Sequence, residues 1–521
     1  MLRVLILFLW GAVLQTRYVH GKKIREPERE HRETTAASPG EVTFQRGELV
    51  VNVTGLGIRI CTGMSVNMIA MANRPVAGAR DSDLKFHSMP DGAAVFPTPD
   101  NGGYVYVSNS EMKQKLGGVY GLYFDSEGNV VDYKKLLSGT TRNCGGGRTP
   151  WKTWISCEEY GLGQCWQVDP TNQRPPQITK LGGSDGGTYE SVAVDNRIAY
   201  QPIFYVSEDH ESGALRRYTP PILYPNSTPT PRPSTKPTTG KPTTRKPTTR
   251  KPTTRKPTTR KPTTRKPTTR KPTTRKPGTR ALTVKRTTSK PKPRTHTPSR
   301  TTTKPMTRKP ANLMQRLMSD SPIVNWNTLI ADGGTTEYLV FLNSNRFKWT
   351  TDEQAARNSQ FQYYPNTEGI QYLNRRLYFV SKKLSMLFIL DLDAGTYTSS
   401  STKYGILPGG GTFDDTPDAI LTGGDYLYFT EDGGKTVGVY AVLRSTGERY
   451  TIFEAYDDVY EFDETTGLAF SPDGRKMYAA FQDCGCGNSE GGLDYTCGCL
   501  LEFSRDDGYS FDGSAPSLKF H

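Results

Sequence analysis

The stretch Ser138–Gly161, SGTTRNCGGGRTPWKTWISCEEYG, concentrates reactive side chains in one place. Cys144 is followed by three glycines, which let backbone approach a bound group closely. Pro150, Trp151 and Trp154 fix the strand that follows, and that strand delivers Glu158 and Glu159. A thiolate and carboxylates on adjoining segments form a mixed soft and hard ligand set, better suited to iron than to calcium alone. More acids recur at the ends of apolar strands: Glu111, Glu208, Asp209, Glu431, Asp432 and Asp483. Carboxylates that converge repel one another unless cations neutralise them, and a large all-oxygen cluster suits calcium. The alternative is that these acids sit separately on solvent-facing loops.

Other chemistries are poorly supplied. Of the 6 histidines, His20, His31, His296 and His521 lie near the ends or in low-complexity sequence, which leaves His87 and His210. A zinc hydrolase built on several His ligands is therefore disfavoured, and no G-x-S-x-G elbow supports a serine hydrolase. Cys484, Cys486, Cys497 and Cys499 lie in DCGCGNSEGGLDYTCGC, where alternation puts each two on one face of a strand. Nested pairs 484–499 and 486–497 would staple a hairpin in an oxidising compartment, with a metal knuckle as the alternative. Cys157 and Cys165 are spaced to close a short loop.

The elements that must position these groups recur. An aromatic-rich apolar strand with a polar or acidic end appears as YVYVSNSE (Tyr104–Glu111), TWISCEE (Thr153–Glu159), IFYVSEDHE (Ile203–Glu211), YLVFLNSN (Tyr338–Asn345), LYFVSKK (Leu377–Lys383), LYFTEDGG (Leu427–Gly434) and MYAAFQD (Met477–Asp483). The small residues near the strand ends are spaced by 48, 51, 136, 38, 49 and 50 residues. Removing an 85-residue insert turns 136 into 51. A unit of roughly 50 residues made of short strands and Gly, Asp and Asn turns, with no convincing helical period, is a β-propeller signature. The spacing predicts an all-β propeller of six or seven blades, six favoured because one interval is short; a β-sandwich would need no period.

The insert is residues 227–311, with 27 Lys and Arg and no acid, including seven consecutive KPTTR units from Lys241 to Arg275. Proline every five residues forbids helix, and Thr with Lys or Arg leaves nothing to bury, so an extended, solvated segment is expected. It reads as a spacer of O-glycosylated type or as a polybasic anchor to polyanionic matrix or wall surfaces. The 521-residue chain carries 67 basic and 52 acidic residues, a net of +15; without the insert 40 basic residues face the same 52 acids, a net of −12. A global nucleic-acid binder is thereby excluded. Arg3 and the apolar run Val4–Leu14 read as a signal peptide, cleaved before Lys22. The expected organisation is signal peptide 1–21, leader 22–44, propeller 45–226, insert 227–311 and propeller 312–521, in a secreted chain without a transmembrane segment. Asn52 and Asn226 open N-glycosylation sequons.

Against this background, NCGGGRTPWKTWISCEE closely resembles the Asn-Cys-x-Gly-Gly-x-Thr-Pro-Trp-Gly-Thr motif, followed by Glu-Glu, of PhoX-type alkaline phosphatases. GGTYESVAVD, FYVSEDHESGALRRYTP, YYPNTEGI, LYFTEDGG and DETTGLAFSPDG are similar too, over roughly residues 45–225 and 312–515. The resemblance implies a six-bladed propeller that hydrolyses phosphate esters with a cofactor of Fe3+ and Ca2+. It implies a catalytic centre of Cys144, the iron thiolate, with Glu190 and Glu368 as iron-site carboxylates; Glu159, Asp209, Glu431 and Asp432 resemble calcium-side ligands. The bacterial enzymes carry a phosphate-contacting Arg shortly before the Glu that corresponds to Glu368. Here Asn366 and Thr367 stand there, and Lys152 replaces the usual Gly after Pro-Trp. Arg148, Arg376 or Arg216 would have to grip the substrate instead. Two functions are thus in view: a secreted phosphoesterase tethered by its basic segment, or a metal-stabilised propeller that only binds in an extracellular matrix or cell wall.

Overall fold

Short apolar runs punctuated by tight turns leave this chain little choice but antiparallel hairpins. At Asn374-Arg375, for example, both residues have positive φ (50° and 66°), the geometry of a two-residue turn whose twist matches its strands. In a computed structural model, the described residues are 49–51, 57–80, 83–99, 102–224, 323–343, 345–406, 412–413, 415–433, 436–455, 464–484 and 497–511. The signal peptide and leader, Asn52, Asn226, Cys486 and the insert 227–311 lie outside them. The chain divides into two compact units, Met1–Ile222 with Val324–His521, and Leu223–Ile323. The described residues of the second unit are Leu223, Tyr224 and Ile323, with an antiparallel bridge joining Leu223 to Ile323.

The first unit is an all-β propeller of six blades. Blade one is Pro90–Pro97, Tyr104–Ser110, Gly117–Phe124 and Val130–Thr140. Blade two is Asn143–Arg148, Trp154–Tyr160, Cys165–Val168 and Gln177–Ile178. Blade three is Gly187–Asp195, Ile203–Glu208, Arg216–Thr219 and Thr335–Leu342, extended by Arg346–Thr350. Blade four is Thr367–Leu373, Arg376–Ser381, Met386–Asp391 and Thr396–Ser401. Blade five is Thr416–Gly423, Tyr426–Asp432, Gly438–Leu443 and Arg449–Ala455, with Ile58–Cys61 and Leu49–Val51 added at its edge. Blade six joins both ends of the unit: Thr465–Phe470, Lys476–Phe481 and Cys499–Arg505 pair in order, and Met64–Met71 supplies the fourth strand.

The first strand of each blade lies innermost and touches its counterparts in the neighbouring blades, closing a ring. Aromatic side chains fill the seams between blades. Between blades one and six, Tyr104, Tyr106 and Phe124 meet Tyr478, and the Tyr104 and Tyr478 hydroxyls are 2.6 Å apart. Apolar surface of this size, removed from water on both faces of each sheet, is the main source of stability.

Six of the seven sequence repeats are the second strands of the blades. YLVFLNSN is instead the outer strand of blade three, which accounts for the short interval and fixes the number at six. The 51-residue interval obtained by removing the insert ends on this different strand, so its agreement with the period is accidental. A helix, Glu353–Tyr363, was not legible in the periodicity. Asp352 caps it by accepting from the Ala355 N–H at 3.0 Å, and its buried Gln360 accepts from Leu215 N and donates to the carbonyls of Glu208 and His210. The helix thus braces the end of a blade-three strand.

Cys484 and Cys499 form a disulfide across the ends of adjacent blade-six strands, with Cα atoms 5.6 Å apart. Cys157 and Cys165 are direct cross-strand partners with sulfurs 3.4 Å apart, each a buried thiol. Among the described residues, no helix is long and apolar enough to cross a membrane.

Candidate metal centre

Five of the six inner strands open in the same way. A residue of the inner strand pairs with the end of the second strand, and the register then slips at a bulge. The pairs before each slip are Asp91–Asn109, Asn143–Glu158, Tyr189–Glu208, Thr367–Ser381 and Pro417–Glu431. In blade one the paired Asp91 itself is of ligand type, and in the other four the next residue of the inner strand is Cys144, Glu190, Glu368 and Asp418, respectively. A bulge re-aims a side chain that regular pleating would direct into a seam, so five blades each send one ligand-type group toward the axis. In blade six the contribution comes from Glu464, which precedes the inner strand and bridges to Asp432.

These groups meet. Cys144 gathers with Asp91 and Glu111; Asp91 with Asp418 and Glu464; and Asp418 with Glu190 and Glu368, each trio offering ligand atoms within 4.8 Å of one another. Asp91 and Asp418 belong to two trios each, so the seven residues form one continuous site. Asp91 is oriented by the Gly92 N–H at 2.7 Å and the Thr466 hydroxyl at 2.5 Å. Thr430 donates to Asp418 at 3.0 Å, and the Gly145 N–H donates to Glu190 Oε1 at 3.1 Å. Asn109 fixes the Cys144 turn: it donates to the carbonyls of Cys144 and Gly145 and accepts from Trp154 Nε1.

The electrostatics are those of a site built for cations. Burial, then the charges of Asp418 and Glu111, push the Asp91 carboxyl up to about 8. Burial and Glu111 take Glu159 to about 8 as well, and burial raises Asp418 to about 6. Glu190, Glu368 and Glu464 rise well above ordinary carboxylate values, again chiefly through burial. Burial, with Asp91 and Glu190 nearby, also raises the Cys144 thiol. Asp91 Oδ2, Glu190 Oε2 and Glu368 Oε1 are buried without a hydrogen-bond partner among the described residues. Unpaired buried carboxylate oxygens are costly, and a shared cation is what such a donor set fits.

The expected site residues divide accordingly. Cys144, Glu190 and Glu368 lie inside the continuous site. Glu159, Asp209 and Asp432 lie one position beyond the register pairs, above it: Glu159 pairs with Arg142 at 3.1 Å, Asp209 accepts from Asn366 Nδ2 at 2.7 Å, and Asp432 pairs with Lys382. Glu431 is occupied differently, accepting from Asp415 N at 2.7 Å and the Tyr440 hydroxyl at 2.8 Å. Glu158 and Glu208, at equivalent positions, likewise accept from loop N–H groups, Thr141 and Gln164 in one case and Ala214 in the other. These three acids anchor loops. Arg148 and Arg376 are not brought to the carboxylates. Arg148 ends the strand that Cys144 begins, about 13 Å along it, and stacks on Phe96. Arg376 starts its strand at the end remote from Glu368. Arg216 is buried over the Tyr189 ring, 3.8 Å from Glu208. His87 bridges Tyr133 and Ser108, two residues of blade one.

Sequence reasoning missed Asp91, Asp418 and Glu464. A signal for the first two was present: each ligand of the five bulges is followed by a small residue, as in Asp91-Gly92, Cys144-Gly145, Glu190-Ser191, Glu368-Gly369 and Asp418-Ala419. The reason shows at Gly145, where a Cβ would lie 2.5 Å from Glu190 Oε1. The glycines after Cys144 serve this close approach between strands.

A family model described as alkaline phosphatase PhoX matches residues 128–199. No curated protein sequence matches the chain. Among solved structures, Pseudomonas fluorescens PhoX in complex with vanadate, a transition state analogue, is similar with a TM-score of 0.55 and 11% identity, over 90% of this chain and 100% of that one. The gluconolactonase XC5397 of Xanthomonas campestris has a TM-score of 0.32 and 10% identity, over 91% of this chain and 99% of that one. The aldose sugar dehydrogenase of Streptomyces coelicolor in its PQQ-bound form has a TM-score of 0.27 and 10% identity, over 85% and 99%. The matched segment 128–199 carries Cys144 and Glu190, so the part of the chain that resembles alkaline phosphatase PhoX is the part that supplies two of the site residues, and the fold as a whole is similar to that of Pseudomonas fluorescens PhoX.

Proposed function

We propose that the protein is a metal-dependent phosphoesterase that hydrolyses phosphate monoesters at a mixed iron and calcium centre. The observation that carries this reading is the continuous seven-residue site, in which a thiol and six carboxylates converge and three buried carboxylate oxygens have no hydrogen bond among the described residues. Cys144 is the soft donor and so the iron ligand, with Glu190 nearby; the all-oxygen trios suit calcium. Such ions, when bound, act as Lewis acids toward phosphoryl oxygens and lower the pKa of bound water. The chain's own residues hold that charge in place: Gly145 N–H orients Glu190, Thr430 orients Asp418, and Thr466 orients Asp91.

The test is hydrolysis of a generic phosphomonoester by the purified full chain, with and without chelator and with vanadate. Chelator-sensitive, vanadate-inhibited turnover is expected; its absence would favour a binding role. Metal analysis of Cys144→Ala reads the site directly, and unchanged iron would remove Cys144 from it. Secretion is part of the same proposal, supported by the signal-like N-terminus and by a disulfide of the kind that persists in oxidising compartments. The segment 227–311 is proposed as a tether to polyanionic surfaces, which its deletion should weaken without altering metal content.

A further inference from the structure

In blades two to five the residue that follows the register pair on the second strand is partly exposed. It is an acid in three of them, Glu159, Asp209 and Asp432, and in blade one Glu111 lies two positions past Asn109. In blade four, where Thr367 pairs with Ser381, the equivalent position is Lys382. One charge in this outer ring is reversed. The ammonium contacts Asp432 and stands 3.7 Å from Glu368 Oε1, while its side chain keeps 34% of its surface exposed. The Lys382 N–H donates to the Asn366 carbonyl at 2.9 Å, and the Asn366 side chain is committed to Asp209. Of the arginines that were candidates for substrate contact, Arg148 and Arg376 lie at the far end of their strands and Arg216 is buried within blade three against Tyr189 and Glu208.

We propose that Lys382 is the substrate-contacting cation of this site, gripping a nonbridging oxygen of the phosphate group. The inference rests on the phosphoesterase reading. It needs a fixed positive charge at the site, held by carboxylates yet open to solvent, and Lys382 has both properties. A lysine offers a point charge with three rotatable donors, which suits a tetrahedral phosphate without demanding the planar fork geometry of arginine. Arg142, on the same side, is held by Glu159 at 3.1 Å, by the Glu159 carbonyl at 3.3 Å and by Glu111 at 3.8 Å, and so serves to position those acids.

The experiment measures binding of inorganic phosphate to the metal-loaded full chain by calorimetry, alongside metal content and steady-state kinetics. Lys382→Met is expected to weaken phosphate binding roughly 10- to 100-fold and to raise KM, with metal content unchanged. Lys382→Arg should restore most of the binding. Unchanged phosphate affinity in Lys382→Met, with metals in place, overturns the proposal and leaves the phosphoesterase reading intact. Loss of metals in Lys382→Met, or loss of phosphate binding in Arg142→Met alone, also overturns it. A wild-type protein that neither binds phosphate nor hydrolyses the ester sinks both readings together.

Discussion

The Gly145 N–H donates to Glu190 Oε1 across the seam between blades two and three, so the turn that presents the Cys144 thiol also orients a carboxylate from the next blade. The two groups cannot be adjusted independently. In Gly145→Ala the new methyl would meet Glu190 Oε1 and Ser191 Oγ at 2.5 Å and the Glu190 carbonyl at 2.6 Å. Overpacking of this kind costs about 1–3 kcal/mol. The variant should melt earlier and bind less metal, which thermal unfolding and elemental analysis would show.

Asp418 and Glu431 sit on adjacent strands of blade five but have different duties. Asp418→Asn should deplete cations strongly, because two trios share that carboxylate. Glu431→Gln should lower stability by about 1–3 kcal/mol through its lost loop contacts, with metal content close to wild type. Equal metal loss in both variants would show that Glu431 is a ligand after all.

Stability of the metal-free protein should fall as pH rises. Asp91, Glu159 and Asp418 keep their protons in the fold up to about 8, 8 and 6, whereas the unfolded chain releases them near 4. Between those limits the folded state binds more protons, so unfolding becomes easier with each step upward. Bound cations remove the preference for the proton. Melting curves from pH 4 to 8 should therefore slope downward without metal and flatten with it; a flat metal-free profile would mean these acids are not held together.

The Cys484–Cys499 disulfide closes a 15-residue separation. Replacing both with alanine should cost about 3 kcal/mol, read as a lower melting temperature. Mild reductant should lower the melting temperature of the wild type by at least as much.

Much of this was legible in the sequence because propellers repeat. Second strands such as Tyr104–Ser110 and Tyr426–Asp432 are short, aromatic and acid-tipped, and their spacing exposes the blade. Cys144, Glu190 and Glu368 were found by resemblance to a motif. Asp91 and Asp418 escaped because the inner strands are less aromatic and their ligands are displayed by bulges, which leave only a small neighbouring residue as a trace. The helix Glu353–Tyr363 escaped because polar Ser359 and Gln360 form much of its buried face, so no apolar stripe betrays it. Glu431 looked like its neighbour Asp432 because sequence gives proximity along a strand but not which oxygen a loop N–H will claim.

Blade six takes three strands from near one end of the propeller sequence and its fourth, Met64–Met71, from near the other. During synthesis that early strand has no ladder partner until Cys499–Arg505 has left the ribosome. Glu464 arrives with the same late strands. The complete centre therefore cannot assemble before the propeller's longest-range pairing is available, and pairing across such separations is intrinsically slow.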